Sequence, residues 1–504
     1  MGLIIAGERS GVGKTTVTLA ILSFLRQQGL QVQSFKVGPD YIDPMFHRYV
    51  TGRSCRNLDP MLTSEAYVQQ CFDHHTQTHS QTATHTLVEG VMGLFDGATG
   101  RDGFASTAHI ARLLDLPILL VLNCSGLSHS IAAIAHGYRS FDPRLNVAGV
   151  VLNRVGSDRH LELLKTALEP LSIPILGVLR REDGITIPDR HLGLVPTDEL
   201  EDLNAIVAQL AHLGKTCFDW EQLMPLLERK AEGRGQKAED GQGKQGEQGE
   251  QGKTQNSKLS SAAARSATQN SKLKTPSVPS ASPASPSPQP SPRIAIAQDA
   301  AFSFYYADNL DLLEALGAEL VPWSPMRDRA LPDNVQGLYF GGGFPEVFAE
   351  QLTANEAARM AVRSAILSGM PTYAECGGLM YLCEKITNFE DQAFPMVGIL
   401  PTTAVMGKRL TLGYRQAIAL HDSLLLDKGT TVWGHEFHRS HLAQEPDSPL
   451  FALLPTPHSP LPNEGWHRPN LHASYLHLHW GARPEIPDRF LKQCAAHAYG
   501  LTQI

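Results

Sequence analysis

The run "LIIAGERSGVGKTT" (residues 3–16) has residue types suited to holding a nucleoside triphosphate. A glycine-rich loop that includes Gly11 and Gly13 can turn successive N–H groups onto phosphate oxygens. Lys14 can reach the β- and γ-oxygens, and the Thr15 hydroxyl can hold Mg²⁺, with Thr16 beside it. An apolar strand precedes the loop and an amphipathic segment follows it, so a helix starting near Thr15 adds its positive end. Five residues, rather than the usual four, separate Gly7 from Gly13.

Three further stretches of the first half carry polar groups at the ends of apolar runs. "KVGPDYIDP" holds Lys36, Asp40 and Asp43. Lys36 suits charge neutralisation at a transferred phosphoryl group, and Asp40 suits a metal or substrate. The same residues also suit an ordinary Gly-Pro turn. "LVEGVMGLFDG" places Glu89 at a strand's carboxyl end and Asp96 in the loop beyond. A carboxylate at the position of Glu89 can face Thr15 across a Mg²⁺ ion. Asn153 closes "VAGVVLN", where its amide can read an adenine edge or simply end the strand.

The second half has a different chemistry. In "AECGGLMYL" Cys376 stands between a strand and a helix, followed by two glycines. Such an elbow is expected to expose the sulfur at the helix N-terminus, which favours thiolate. The backbone of "FGGGFPE", including Gly342 and Gly343, could join the N–H of Gly377 in stabilising an oxyanion. The thiol needs a base. Of 21 histidines, His477 and His479 in "SYLHLHW" are the best candidates, and strand alternation would set them on one face. "GHEFHRS" (His435, Glu436, His438) lacks the spacing of a zinc-protease helix.

These groups need two scaffolds. In the first half, apolar runs alternate with helical segments, which predicts an α/β unit with a mostly parallel sheet and ligands at the strands' carboxyl edge. The second half restarts with the strand "RIAIAQD" and repeats strand–turn–helix patterns. Between them, residues 229–292 are rich in Gly, Gln, Lys, Glu, Ser and Pro and contain no aromatic residue. That composition predicts a disordered linker between domains at 1–228 and 293–504. A net charge of -8 argues against a nucleic-acid partner, and no apolar run suits a membrane span. Seven cysteines without paired spacing point to a reducing cytoplasm.

The loop spacing resembles the dethiobiotin-synthetase-like branch of P-loop enzymes. The ordered set "KVGPDYIDPMFH", "VEGVMGLFDG", "VVLNRVGSDRH", "FGGGFPE", "AECGGLMYL", "GHEFHRS" and "SYLHLH" resembles the cobyrinate a,c-diamide synthase family across nearly all of both halves. The resemblance implies an α/β P-loop domain followed by an α/β class I glutamine amidotransferase domain. It implies ATP- and glutamine-dependent amidation of the a and c carboxylates of cobyrinate through acyl phosphates, in cobalamin synthesis. Hydrogenobyrinate and a nickel sirohydrochlorin are the alternative acceptors. Cys376 would be the nucleophile and His477 its base, with His479 as fallback. Most class I amidotransferases place a glutamate two residues after that histidine, and here that position is His479. Thr15 and Glu89 would hold Mg²⁺. Asp40, Tyr41 and Asp96 match family positions near the nucleotide and the substrate carboxylate. Small molecules are the expected partners, and the reading leaves a homodimer open.

Overall fold

A computed structural model describes residues 2–77, 85–98, 101–181, 188–190, 193–200, 202–228, 291–454 and 463–498. The expected linker lies outside the described residues except for its last two. The two halves pack as one compact unit.

The first half is built on seven strands in the order β3-β2-β4-β1-β5-β6-β7. They are β1 (Leu3–Gly7), β2 (Val32–Val37), β3 (Arg56–Leu58), β4 (His85–Glu89), β5 (Ile118–Asn123), β6 (Val147–Val155) and β7 (Ile175–Arg180). All six pairings are parallel. Strands β1, β2, β4 and β5 are buried along their whole lengths. Helices on both faces account for their continuous apolar runs. Helix α1 (Lys14–Gln27) follows β1, and α2 (Ile42–Thr51) and α3 (Glu65–Gln77) follow β2 and β3. A short antiparallel pair, β8 (Asp189–Arg190) and β9 (Gly193–Leu194), comes after the sheet.

The second half is an eleven-stranded mixed sheet. Its first five members in space, β11 (Glu319–Trp323), β10 (Arg293–Ala297), β12 (Gly337–Phe340), β13 (Thr372–Glu375) and β20 (Leu471–Ser474), are parallel. The sheet continues through β19 (Asn463–Arg468), β18 (Pro449–Leu453), β16 (Leu400–Ala419), β14 (Cys383–Thr387) and β15 (Ala393–Pro395). Strand β17 (Thr431–Leu442) pairs antiparallel with the twenty-residue β16. "GHEFHRS" therefore lies within β17.

Aromatic packing and ion pairs join the halves. Tyr41 stacks on Phe304, with ring centroids 5.4 Å apart and planes 4° from parallel. Arg56 binds Asp308 at 3.1 Å and Asp311 at 2.6 Å. The Tyr414 hydroxyl donates to Asp59 at 2.9 Å. Among the described residues, no helix is long and apolar enough to cross a membrane.

Candidate active site

The loop between β1 and α1 keeps its shape through glycine. Gly13 caps α1 with φ 98°, and a Cβ there would sit 2.3 Å from Nδ2 of Asn153. Only glycine fits both the left-handed backbone and that approach. Gly11 is exposed, and Thr15 and Thr16 are half-buried on the first turn of α1. Lys14 donates to the carbonyl of Met92 and so ties this loop to the one after β4. Burial and the charge of Lys36 push the Lys14 ammonium down to about 8.

Register brings the charged groups together. Lys36 on β2 lies directly beside Glu89 on β4. Its ammonium is 3.0 Å from Glu89, 3.6 Å from Asp40 and in tight contact with Asp43. The Thr15 hydroxyl donates to Glu89 at 2.6 Å and approaches Asp43 at 3.3 Å. His47 of α2 meets the second Glu89 oxygen at 2.8 Å, and its other ring nitrogen lies 3.3 Å from the Cys55 sulfur. Burial works against charge on Glu89, but Lys36, His47 and Thr15 outweigh it and hold the carboxyl well below the usual range. Asp43 is pushed up, by burial first and then by Asp40.

This is a hard-oxygen donor set of the kind Mg²⁺ takes. Three carboxylates, Asp40, Asp43 and Glu89, surround Lys36. Thr15, Glu89 and Asp43 are the residues that could hold Mg²⁺. Asp43 and His47 were not singled out as binding residues from sequence. The signal available was their place one and two turns into the helix that follows "GPDY".

Other expected residues have different settings. Asp40 accepts from the N–H groups of Ile42 and Asp43, so one oxygen starts α2 while the other faces Lys36. Exposed Asp96 accepts from Gly93 N–H at 3.0 Å and closes the loop after β4. The Asn153 amide is used within the protein. It donates to the Val12 carbonyl at 2.7 Å and accepts from Arg154 N–H at 2.8 Å. These two bonds brace the glycine loop and leave the amide one N–H and one oxygen lone pair. Tyr41 departs furthest from expectation. It is buried among Phe304, Tyr306 and His477 at the junction of the halves.

The second site begins where β13 ends. Cys376 has φ 46° and ψ -100°, a strained conformation between β13 and the short helix Gly377–Leu382. Strain of this kind aims a side chain that an ordinary turn would direct elsewhere. The sulfur is not exposed as expected; Cys376 is 5% accessible. Burial, followed by Glu346, pushes the thiol up, while the Gly377 N–H opposes this. Burial therefore favours the neutral thiol, and attack by sulfur needs a base.

Gly342, Gly343 and Gly377 converge beside it. A Cβ on Gly377 would lie 3.0 Å from Gly343 N, and one on Gly342 would lie 2.5 Å from Cε1 of His477. The two candidate histidines then separate. Strand β20 ends at Ser474, so alternation does not govern residues 475–480. His477 is held by reciprocal backbone bonds with His435 and turns Nδ1 toward Glu375, 3.7 Å away. His479 points Nε2 at Asp308, 3.4 Å away, and accepts from Gly481 N–H with Nδ1. Both its nitrogens face groups at the junction rather than the elbow.

Two family models match the chain: a CobQ/CobB/MinD/ParA nucleotide binding domain over residues 3–195 and a CobB/CobQ-like glutamine amidotransferase domain over 293–485. The chain is 60% identical to a cobyrinate a,c-diamide synthase of Synechococcus over 98% of both proteins. It is 50% identical to a second, from Synechocystis, over 98% of this chain and 94% of that one. A hydrogenobyrinate a,c-diamide synthase of Streptomyces coelicolor is 42% identical over 98% of this chain and 97% of its own length. With a P-loop half and an amidotransferase half matched along nearly its whole length, the chain belongs to the cobyrinate a,c-diamide synthase family.

Proposed function

We propose that the chain amidates the a and c side-chain carboxylates of cobyrinate, using ATP to activate each carboxylate and glutamine to supply ammonia. The observation that carries this reading is the presence, in one packed unit, of a Thr15–Lys36–Glu89 cluster and a Cys376 elbow. Motor or switch chemistry needs only the first, and a glutaminase alone needs only the second.

In the second half, the Cys376 sulfur attacks the side-chain carbonyl carbon of glutamine. His477 takes the thiol proton, and the N–H groups of Gly343 and Gly377 lie beside the carbon's developing oxyanion. Collapse breaks the C–N bond, and His477 returns the proton to the leaving ammonia. Water then cleaves the thioester to glutamate and restores the thiol.

In the first half, the loop from Gly11 to Thr16 cradles the triphosphate. Lys14 and Lys36 face the γ-phosphoryl group as it passes to a substrate carboxylate oxygen. Thr15, Glu89 and Asp43 would hold Mg²⁺, which supplies charge neutralisation across the β- and γ-phosphates. Asp40 keeps Lys36 and the start of α2 in place. Ammonia attacks the acyl carbon to form the C–N bond, the C–O bond to the phosphoryl group breaks with its electron pair going to oxygen, and inorganic phosphate leaves carrying the proton lost by the nitrogen. The residue boundaries 1–228 and 293–504 divide the two half-reactions. The chain works on small molecules in the cytoplasm.

The test is incubation with cobyrinate, ATP, Mg²⁺ and either glutamine or ammonium salt, with product mass counting the amides. Two added amides are expected from either nitrogen source. Cys376→Ala should lose the glutamine-supported product alone. Glutamine-supported product from Cys376→Ala would overturn the nucleophile assignment. No amide from either source in the wild type would overturn the function. Hydrogenobyrinate, run in parallel, checks the alternative acceptor.

A further inference from the structure

The expected base, His477, lacks the acid that most class I amidotransferases supply two residues downstream, because His479 fills that position and faces Asp308. A different carboxylate reaches the ring. Glu375 is the residue before Cys376 and is 1% accessible at the end of β13. Its Oε2 lies 3.7 Å from Nδ1 of His477.

The sheet fixes this carboxylate. Tyr373 precedes it by two residues on the same face, and Tyr339 sits beside Tyr373 in register. The Tyr373 hydroxyl donates to Oε1, as does Leu478 N–H at 3.0 Å. The Tyr339 hydroxyl approaches Oε2 at 3.3 Å. These donors are neutral. Among the described residues, His477 is the one basic side chain within 4.0 Å of the Glu375 carboxylate.

The imidazole has two ends in two settings. Nδ1 faces Glu375. Nε2 lies 3.3 Å from where a Gly342 Cβ would be, on the glycine loop that adjoins Gly377 and the elbow. A proton kept on Nδ1 leaves the Nε2 lone pair for the Cys376 thiol. When Nε2 takes that proton, the imidazolium forms beside a carboxylate already locked in place. Closing the Nδ1–Oε2 gap to a hydrogen bond requires a shift of under about 1 Å, within what active sites undergo on binding substrate.

We propose that Glu375 is the positioning residue of the glutaminase site, holding His477 in the Nδ1–H tautomer and stabilising the imidazolium that forms as Cys376 attacks. This rests on the assignment of Cys376 and His477 made above. It places the orienting acid next to the nucleophile in sequence, on β13.

The test compares Glu375→Gln and Glu375→Asp with the wild type in full-length protein. Glu375→Gln should lower kcat with glutamine by about a hundredfold or more while KM for glutamine stays within about threefold. Glu375→Asp should recover part of that loss. Ammonia-supported amidation in the first half reports folding and should stay within about twofold. Full glutamine-supported rate in Glu375→Gln would overturn the proposal. ¹⁵N-histidine NMR of the wild type, with His477→Gln identifying the signal, should show the Nδ1–H tautomer; Nε2–H would overturn the proposal even if Glu375→Gln fails to fold. Failure of the parent assignment has a separate signature, glutamine-supported activity in Cys376→Ala.

Discussion

The ring of Tyr41, which belongs to the nucleotide-binding half, lies 5.0 Å from the ring of His477 in the amidotransferase half. Tyr41 immediately precedes α2, and the next turns of α2 carry Asp43 and His47 to Lys36 and Glu89. The start of one helix thus touches both the Lys36–Glu89 cluster and the proposed base, His477. Tyr41→Ala removes a buried ring between Phe304, Tyr306 and His477. It should lower stability by about 3–5 kcal/mol, as aromatic-to-alanine changes in cores do. Because His477 loses its neighbour, the glutamine-supported rate should fall more than the ammonia-supported one. Paired rate measurements at a temperature where the variant is folded check this. An unchanged ratio would show that the contact only packs the halves together.

A second expectation concerns Lys36. Its ammonium is buried, and Asp43, Glu89 and Asp40 raise its affinity for a proton against the effect of burial. Lys36→Met leaves those carboxylates facing one another without their cation. Breaking a buried pair on one side costs about 3–5 kcal/mol. The variant should lose amidation with both nitrogen sources, unlike a change at Cys376. Mass analysis with glutamine and with ammonium salt separates the two patterns. Product from ammonium salt at the wild-type rate would remove Lys36 from the chemistry.

Gly343 offers a sharper structural test. Its φ is 154°, and a Cβ would lie 2.1 Å from the carbonyl oxygen of Ala301. Backbone cannot swing away as a flexible side chain can. Gly343→Ala should displace the loop at Gly342, which packs on His477, and destabilise the second half by at least about 2 kcal/mol. Thermal melting reads the stability, and glutamine hydrolysis reads the displacement. A variant with wild-type melting and hydrolysis would mean that the loop has slack.

Much of this architecture was legible because local chemistry and periodicity agreed. "LIIAG" followed by "GVGKTT" predicts β1, the loop and α1, and Glu89 ends its strand where the apolar run stops. What stayed hidden depends on pairing between distant segments. Strand β3 is three residues long and carries no periodic signal. Strand β17 pairs "GHEFHRS" with β16, whereas in sequence the segment looks like a ligand cluster. Tyr41 sits in a stretch otherwise made of turn and phosphate-site residues, so its packing partners, all more than 260 positions away, were out of view. Glu375 was masked by its neighbour. An acid at a strand end has many uses, and only the register of Tyr339 with Tyr373 shows how it is held.

The last prediction lies away from both sites. His472 of β20 is fully buried, edge-on to Tyr373 and Phe451, and burial pushes its ring down to about 3. In the unfolded chain the same side chain protonates near 6.5. The folded protein therefore keeps His472 neutral below pH 6.5 while the unfolded chain takes up a proton. That difference lowers stability as pH falls from 6.5 toward 3, and it vanishes above 6.5. One such proton corresponds to about 1.4 kcal/mol per pH unit, or about 2 kcal/mol between pH 6.5 and 5. His472→Phe keeps an aromatic ring in the slot and removes the titrating group. Its stability should fall less steeply across that window by about one proton's worth, whatever its absolute value at pH 7. Urea midpoints at half-unit intervals from pH 7.5 to 5 give both slopes. Identical slopes would mean that His472 takes up its proton within the folded state.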